Sequence, residues 1–293
     1  MEQARSRIMP KMTESEWLQW RRGGLGGSDA AAIMEVSPWC TRFQKFEEKV
    51  YGVESEDNAA KAFGRAKEEG ARRDFEKLMG KSFFPTNLER TDIPWLKASL
   101  DGLTVSGLYA VEIKKTSRED HELAKKGQVT PKYFPQCQHI LNVVPSLETF
   151  YFYSSPADGS KGAVVEVARE NLYIEEQLFP TEQRFWDLVL SQEPPELTDR
   201  DYLSMEDNRS WKKVGRKILD VREQIKILEA TDKDLVAELK ALAGNRSAQG
   251  HGIRLQKQIC RGAVDYSKIP ELEGVDLAPY RKKSFEKWPV RAM

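Results

Sequence analysis

The sequence predicts an α/β (α+β) core followed by a largely helical extension. Three observations lead there. Up to about residue 193, stretches with helical apolar spacing are mixed with short runs of strand character. The segment Gln192-Glu193-Pro194-Pro195-Glu196 then interrupts the pattern, because consecutive prolines stop a helix and favour an extended linker. Beyond it, Val214, Ile218, Val221, Ile225, Leu228, Leu235, Leu239 and Leu242 step by threes and fours, with Asp232 where one apolar residue is missing; this is a heptad pattern. The chain of 293 residues thus divides into 1–193 and 194–293, in line with a prior of roughly 150 residues per domain.

Each element has a local reason. Thr13-Glu14-Ser15-Glu16 has capping-box spacing and opens a short helix through Trp17 and Trp20. Gly23-Gly24-Leu25-Gly26-Gly27 ends that helix, and Ser28 reads as the N-cap of a second one through Ala30 to Ile33. A further helix is expected from about Asn58 to Met79. Strands are expected at Lys97–Val105, Tyr109–Lys115, Thr149–Ser154 and Ala163–Val167. Between the second and third of these, Tyr133, Cys137, Ile140, Leu141 and Val144 make a helical apolar face. Residues 171–191 read as one more helix. For the heptad segment three readings are open: a contact with another chain, a helix lying on its own domain, or a helical hairpin turning near Thr231-Asp232.

Composition narrows the function. Hydrophobic residues make up 40% of the chain, which excludes wholesale disorder, and the 46 basic and 46 acidic residues cancel. A strongly basic nucleic-acid coat is therefore excluded, although charges can still segregate locally. Residues 1–193 carry a net charge of −4 and residues 194–293 of +4. Cys40, Cys137 and Cys260 are too dispersed for a zinc ribbon, a disulfide framework or an iron–sulfur cluster. His121, His139 and His251 have no metal-ligand spacing. No apolar run is long enough to span a membrane and the first residues lack the apolar stretch of a secretory signal. A reduced, cytoplasmic protein is expected.

The segment richest in chemistry is Ser99-Leu100-Asp101-Gly102, then Ser106-Gly107, then Val111-Glu112-Ile113-Lys114. A two-residue turn centred on Ser106-Gly107 would set Asp101 opposite Glu112 and Ser99 opposite Lys114 on one sheet face. Leu100, Val111 and Ile113 would then point the other way, toward a core. Facing carboxylates repel, and a divalent cation between them reverses the sign of that interaction. Mg²⁺ favours a few carboxylates completed by water and phosphate oxygens, and a neighbouring lysine suits metal-assisted phosphodiester hydrolysis. On the residues alone, a solvated hairpin carrying surface charges is the competing reading.

The surrounding motifs resemble the YqaJ-like viral recombinase family, relatives of the bacteriophage lambda exonuclease within the PD-(D/E)xK nuclease superfamily. The matching pieces are Trp17-Leu18-Gln19-Trp20-Arg21 with Gly26-Gly27-Ser28-Asp29-Ala30-Ala31-Ala32, Val36-Ser37-Pro38-Trp39, and Phe63-Gly64-Arg65 with Glu68. They continue with Ser99–Gly102, Val111–Lys114 and Tyr133-Phe134-Pro135-Gln136-Cys137-Gln138. They stand in the family's order over roughly residues 13–170.

The resemblance implies a PD-(D/E)xK core, a central mixed sheet flanked by helices. It implies that Asp101, Glu112 and the Ile113 backbone carbonyl bind metal, that Glu68 completes a second metal position, and that Lys114 is the catalytic lysine. Glu69, beside Glu68, is the alternative register. Gln136 would hold the attacking water or the scissile phosphate; as a bare residue, without the resemblance, it reads as a solvent-facing position of its helix. Arg21, Ser28 and Ser99 match a pocket for a terminal 5′-phosphate, and Arg118 matches more loosely, because the family's arginine lies further beyond the lysine. The implied activity is a Mg²⁺-dependent deoxyribonuclease, with Mn²⁺ as a substitute and one or two ions per site. It would act 5′→3′ on linear double-stranded DNA, leaving 5′-mononucleotides and 3′ overhangs. An endonuclease or flap nuclease on the same metal site is the alternative within enzymes, and a catalytically silent DNA-end-binding scaffold the alternative outside them. The implied partners are DNA ends, a single-strand annealing protein and further copies of the chain, a trimer by analogy, in a bacterial host cytoplasm with no membrane. Segments such as Gly250–Leu255, Arg261–Tyr266 and Tyr280-Arg281-Lys282 resemble tails of longer phage nucleases; DNA contact and a structural extension are both open for them.

Overall fold

A computed structural model describes residues 6–52, 58–156, 160–258 and 269–270, with backbone alone for 58–68. Arg261–Tyr266 and Tyr280-Arg281-Lys282 lie outside the described residues. The chain forms two units, Met1–Leu203 and Ser204–Met293. The division falls ten residues beyond the Pro194-Pro195 break. The intervening stretch is tied back to the first unit: Arg200 donates to the carbonyls of Ser37 at 2.8 Å and Pro38 at 2.9 Å, and Thr41 is hydrogen-bonded to Asp201.

The first unit is built on one mixed sheet. Its strands are β1 (Ser6–Ile8), β2 (Leu25–Gly26), β3 (Phe84–Arg90), β4 (Leu96–Leu103), β5 (Tyr109–Thr116), β6 (Thr149–Pro156) and β7 (Ala163–Glu166). The order is β1-β3-β4-β5-β6-β7, with β2 beside β4. β4 and β5 are antiparallel, whereas β5 and β6 are parallel. Parallel neighbours need a crossover, supplied here by α5 (Arg118–Lys125) and α6 (Phe134–Val143). The remaining helices of this unit are α1 (Glu14–Arg22), α2 (Gly27–Ile33), α3 (Arg42–Tyr51), α4 (Asn58–Met79), α7 (Asn171–Tyr173) and α8 (Phe179–Ser191). The helix expected over 171–191 is continuous, but α7 and α8 are joined by a π-helical segment, Ile174–Leu178.

The two sheet faces carry separate apolar clusters. On one, Leu100, Ala110 and Phe152 pack with Cys137 and Ile140 of α6. On the other, Val111, Ile113, Tyr151 and Tyr153 pack with Ala71 and Phe75 of α4. Phe75 is fully buried, with ring centroids 5.0 Å from Phe83, 5.6 Å from Tyr151 and 5.3 Å from Tyr153. Leu100 therefore lies on the opposite face from Val111 and Ile113, contrary to simple alternation. The register shows why. Leu100 pairs with Thr86 but Leu103 with Phe84, so β4 carries one extra residue there. Such a bulge turns consecutive side chains to the same face.

The β4–β5 turn is wider than two residues. The Thr104 amide donates to the Tyr109 carbonyl at 2.9 Å, closing a loop over Val105, Ser106, Gly107 and Leu108. Its centre still falls between Ser106 and Gly107. The expected register is kept at Gly102–Val111 and Leu103–Ala110, where the ladder ends. Nearer its start, β4 is flanked by β2, with Leu25 paired to Leu96 and Gly26 to Lys97. Gly24 makes that approach feasible: a Cβ there would sit 2.4 Å from the Trp95 carbonyl oxygen.

The second unit contains α9 (Arg209–Leu242), a single helix of 34 residues, and a small hairpin of β8 (Ala248–Gly250) and β9 (Ile253–Leu255). The reading as a helical hairpin near Thr231-Asp232 is corrected: the helix runs through, and the Thr231 hydroxyl donates to the Ile227 carbonyl at 2.9 Å. No α9 side chain is buried among the described residues. No described helix is long and apolar enough to cross a membrane.

Candidate active site

The site begins where β4 and β5 stop pairing. Asp101 comes just before Gly102, which pairs with Val111, and its carboxylate bridges to β5 instead of joining the ladder. Its Oδ2 accepts the Ile113 amide at 2.6 Å. Ile113 thus supplies backbone beside Asp101 while its side chain lies in the α4 cluster.

Glu112 is buried and faces α6. Its Oε1 is 2.5 Å from Lys114 Nζ and also accepts from the Gln136 amide. Its Oε2 is buried with no hydrogen-bond partner. Burial, reinforced by the negative charge of Asp101, pushes the Glu112 carboxyl up to about 7. Burial works against the charge of Lys114, but Glu112 and Asp101 outweigh it and hold its ammonium above the ordinary lysine value. Asp101, Glu112, Lys114 and Gln136 are thus brought into one cluster. The reading of Gln136 as solvent-facing is corrected, since it is only 8% exposed. Gly27 lets α2 close over it: a Cβ there would lie 3.2 Å from Gln136 Cγ.

Two carboxylates with a buried, unpartnered oxygen between them fit a hard divalent cation. Such an ion would offset both the burial and the Asp101 repulsion that raise Glu112. Among the described residues no three His, Cys, Asp or Glu side chains converge as a metal-binding group. Glu68 is on α4, and its side chain lies outside the described residues. Glu69, the alternative register, is exposed and paired with Arg73.

Arg21, Ser28 and Ser99 are linked through α1. Arg21 Nη2 donates to Ser28 Oγ at 2.9 Å, and Trp17, four residues earlier on α1, donates its indole N–H to Ser99 Oγ at 3.3 Å. Two expectations are corrected here. Ser28 is not the N-cap of α2; Gly26 holds that place, and Asp29 accepts the Gly26 amide at 2.9 Å. Ser99 does not pair with Lys114, because the bulge turns Leu100 toward α6 and leaves Ser99 facing Trp17. Arg118 is the first residue of α5 and is exposed.

The sequence reading missed the residues that hold Arg21. Asp29 is fully buried and contacts Arg21 Nη2 at 3.2 Å, Lys45 Nζ at 3.3 Å and Lys49 Nζ at 2.8 Å. Lys49 also donates to the carbonyls of Arg21 at 3.0 Å and Gly24 at 2.7 Å. Burial opposes the charge of Asp29, but the three cations outweigh it and hold the carboxyl well below its usual range. Burial, opposed by Asp29 and aided by the Arg21 charge, lowers Lys49 to about 8. The available signal was the capping-box spacing Thr41–Gln44, which opens α3 and sets Lys45 and Lys49 one turn apart beside Phe46.

Two of the three histidines are buried and hydrogen-bonded within the fold. His121 Nδ1 is 2.7 Å from Ser154 Oγ. His139 is buried between Glu182, at 2.6 Å, and the Lys97 carbonyl, at 2.9 Å.

A bulged mixed sheet carries Asp101 on one strand and Glu112-Ile113-Lys114 on the next, flanked by helices, which is the core architecture that the motif resemblance implied. The fold matches the crystal structure of an alkaline exonuclease from Laribacter hongkongensis, with a TM-score of 0.51 and 22% identity over 61% of this chain and 93% of that one. The same protein in complex with dAMP matches equally, with a TM-score of 0.51 and 22% identity over the same shares. Residues 16–146 match the family model of the YqaJ-like viral recombinase domain. The uncharacterized protein YqaJ of Bacillus subtilis (strain 168) is 27% identical over 264 residues, 82% of either chain. The family resemblance read from the motifs is met by these comparisons.

Proposed function

We propose that this protein is a recombination nuclease of the phage type, acting 5′→3′ as an exonuclease on linear double-stranded DNA. The observation that carries this reading is the cluster at the β4–β5 separation, where Glu112 keeps one oxygen buried and unpartnered beside Asp101.

Asp101, Glu112 and the Ile113 carbonyl are the groups that would hold Mg²⁺, or Mn²⁺ in its place, with Glu68 available from α4 for a second ion. When bound, the ion lowers the pKa of water and stabilises charge developing at phosphorus. The chain supplies the rest. Lys114 is a fixed cation where negative charge accumulates on the phosphate oxygens. Gln136, anchored on Glu112, orients the attacking water or the scissile phosphate.

Arg21 and Ser28 hold the terminal 5′-phosphate. A guanidinium grips phosphate bidentately, and Ser28 is exposed to receive it. Ser99 accepts from Trp17, which leaves its own O–H to donate to the same phosphate. Arg118, at the surface beyond β5, contacts the DNA backbone. The products are 5′-mononucleotides and a 3′ overhang on which a single-strand annealing protein would load. Assembly of the nuclease unit as a trimer around DNA belongs to this reading.

The test is degradation of linear duplex labelled at either end in Mg²⁺, with matched 5′-phosphate and 5′-hydroxyl ends and Lys114→Ala alongside. Early release of 5′ label, faster from the phosphorylated end and lost in the variant, is expected. Internal cuts indifferent to the 5′ group would replace the exonuclease with an endonuclease. No cleavage with either metal, while DNA still binds, would leave an end-binding scaffold.

A further inference from the structure

We propose that α9 is an interface between two copies of this chain, packed antiparallel along the Val214–Leu242 seam. The helix spans roughly 51 Å at 1.5 Å per residue. None of its side chains is buried among the described residues, and Val221, Leu228 and Leu235 are all more than half exposed. Helices in proteins draw most of their stability from packing an apolar face. An uncovered apolar stripe of this length marks an interaction surface.

The heptad repeat specifies what fits. The seam residues take core positions in alternation, with Ile218, Ile225, Asp232 and Leu239 in one set and Val214, Val221, Leu228 and Leu235 in the other. In an antiparallel pair the two sets face each other. Ile225 meets Leu228 at the centre, Ile218 meets Leu235, and Val214 meets Leu239. Trp211 and Leu242 close the ends, so every turn of the helix is used. Asp232 falls opposite Val221. A polar residue at one core position costs stability but fixes the register.

The flanking charges choose the direction. The positions bordering the seam carry Lys217 and Arg222 in the first half of the helix and Glu229 and Glu238 in the second. Antiparallel packing sets Lys217 beside Glu238 of the other copy and Arg222 beside Glu229, each twice by symmetry. Parallel packing would set Lys217 beside Arg222, which is repulsive, and leave both glutamates without a cation across the seam. A self-complementary patch of this kind is the signature of a two-fold interface.

The experiment is sedimentation equilibrium of the full chain, with far-UV circular dichroism confirming helix content. The wild type should self-associate, and Ile225→Asp/Leu228→Asp should halve the mass whatever the assembly of the nuclease unit. Lys217→Glu should weaken association about tenfold, as two attractive flanking pairs become repulsive, and Lys217→Glu/Glu238→Lys should restore it. A monomeric wild type overturns the proposal. So does a mass unmoved by Ile225→Asp/Leu228→Asp, which would mean that another segment or partner covers the seam. Tighter association of Lys217→Glu would mean a parallel pair and overturns it equally.

Discussion

Replacing Asp29 tests the buried ion cluster that holds Arg21 in the proposed phosphate pocket. The carboxylate is fully buried and holds Arg21, Lys45 and Lys49 within 3.3 Å. In Asp29→Ala, Lys49 keeps only two backbone carbonyls, and three cations are left facing one another. Removing one partner of a buried ion pair costs about 3–5 kcal/mol, because the remaining charge is stranded. For a unit of this size each kcal/mol moves the melting temperature by roughly 2–4 °C, so a fall of about 6–20 °C is expected by calorimetry. Asp29→Asn keeps an acceptor for the Gly26 amide yet should lose nearly as much, since the loss is one of charge. Lys49→Met in either background should recover part of it. A pH series adds a signature. A lysine whose folded value lies below its unfolded value destabilises below both, and stability returns as pH rises between them. For Lys49 that window runs from about 8 to its ordinary 10.5. Without Asp29 its lower edge moves down, so the variant should gain more stability than wild type between pH 7 and 9. A loss under about 1 kcal/mol, or no recovery with Lys49→Met, would refute the account.

Four further outcomes are expected. Phe75→Ala empties the centre of the α4 cluster and should cost about 3–5 kcal/mol in denaturant unfolding. Burial opposes the charge of His139, but Glu182 and the Lys97 carbonyl outweigh it and raise its pKa. The pair's contribution is therefore full below pH 6.5 and lost as pH climbs through the raised value; Glu182→Gln should flatten the melting temperature over that range. Glu112→Gln removes the charge opposing Asp101 and should abolish calorimetric Mn²⁺ binding while leaving the melting temperature near wild type or above. Arg21→Ala should erase the preference for a 5′-phosphate over a 5′-hydroxyl end while phosphodiester hydrolysis dependent on Lys114 persists.

Several elements were legible because their signals are local. The capping box at Thr13–Glu16, the strand character of β4 to β7 and the apolar spacing of α6 and α9 each reside in a few neighbouring residues. β3 was not legible: Phe84-Pro85-Thr86-Asn87 has weak strand character, and the segment is a strand because β1 and β4 pair with it on both sides. α3 and α5 were missed because they are short, ten and eight residues, although Thr41 and Ser117 cap them and Phe43, Phe46 and Val50 recur at helical spacing in α3. Within the site, Asp101, Glu112, Lys114 and Gln136 could be picked out only as a set of motifs in order. Nothing local distinguishes Gln136 from a surface glutamine; its burial depends on α2 closing over α6.

The sequence by itself determined the mixed core, the long heptad helix, and the centre of the β4–β5 turn, because turn residues and apolar periods act over short range. Only the tertiary structure decided which face each site residue takes. One extra residue in β4 separates Leu100 from Val111 and turns Ser99 toward Trp17, and such a slip is set by pairing with β3. Only the tertiary structure, likewise, gathered Arg21, Asp29, Lys45 and Lys49. A buried carboxylate must find its counter-charges in space, and two helices that are separate in the chain, α1 and α3, supply them to Asp29 on α2.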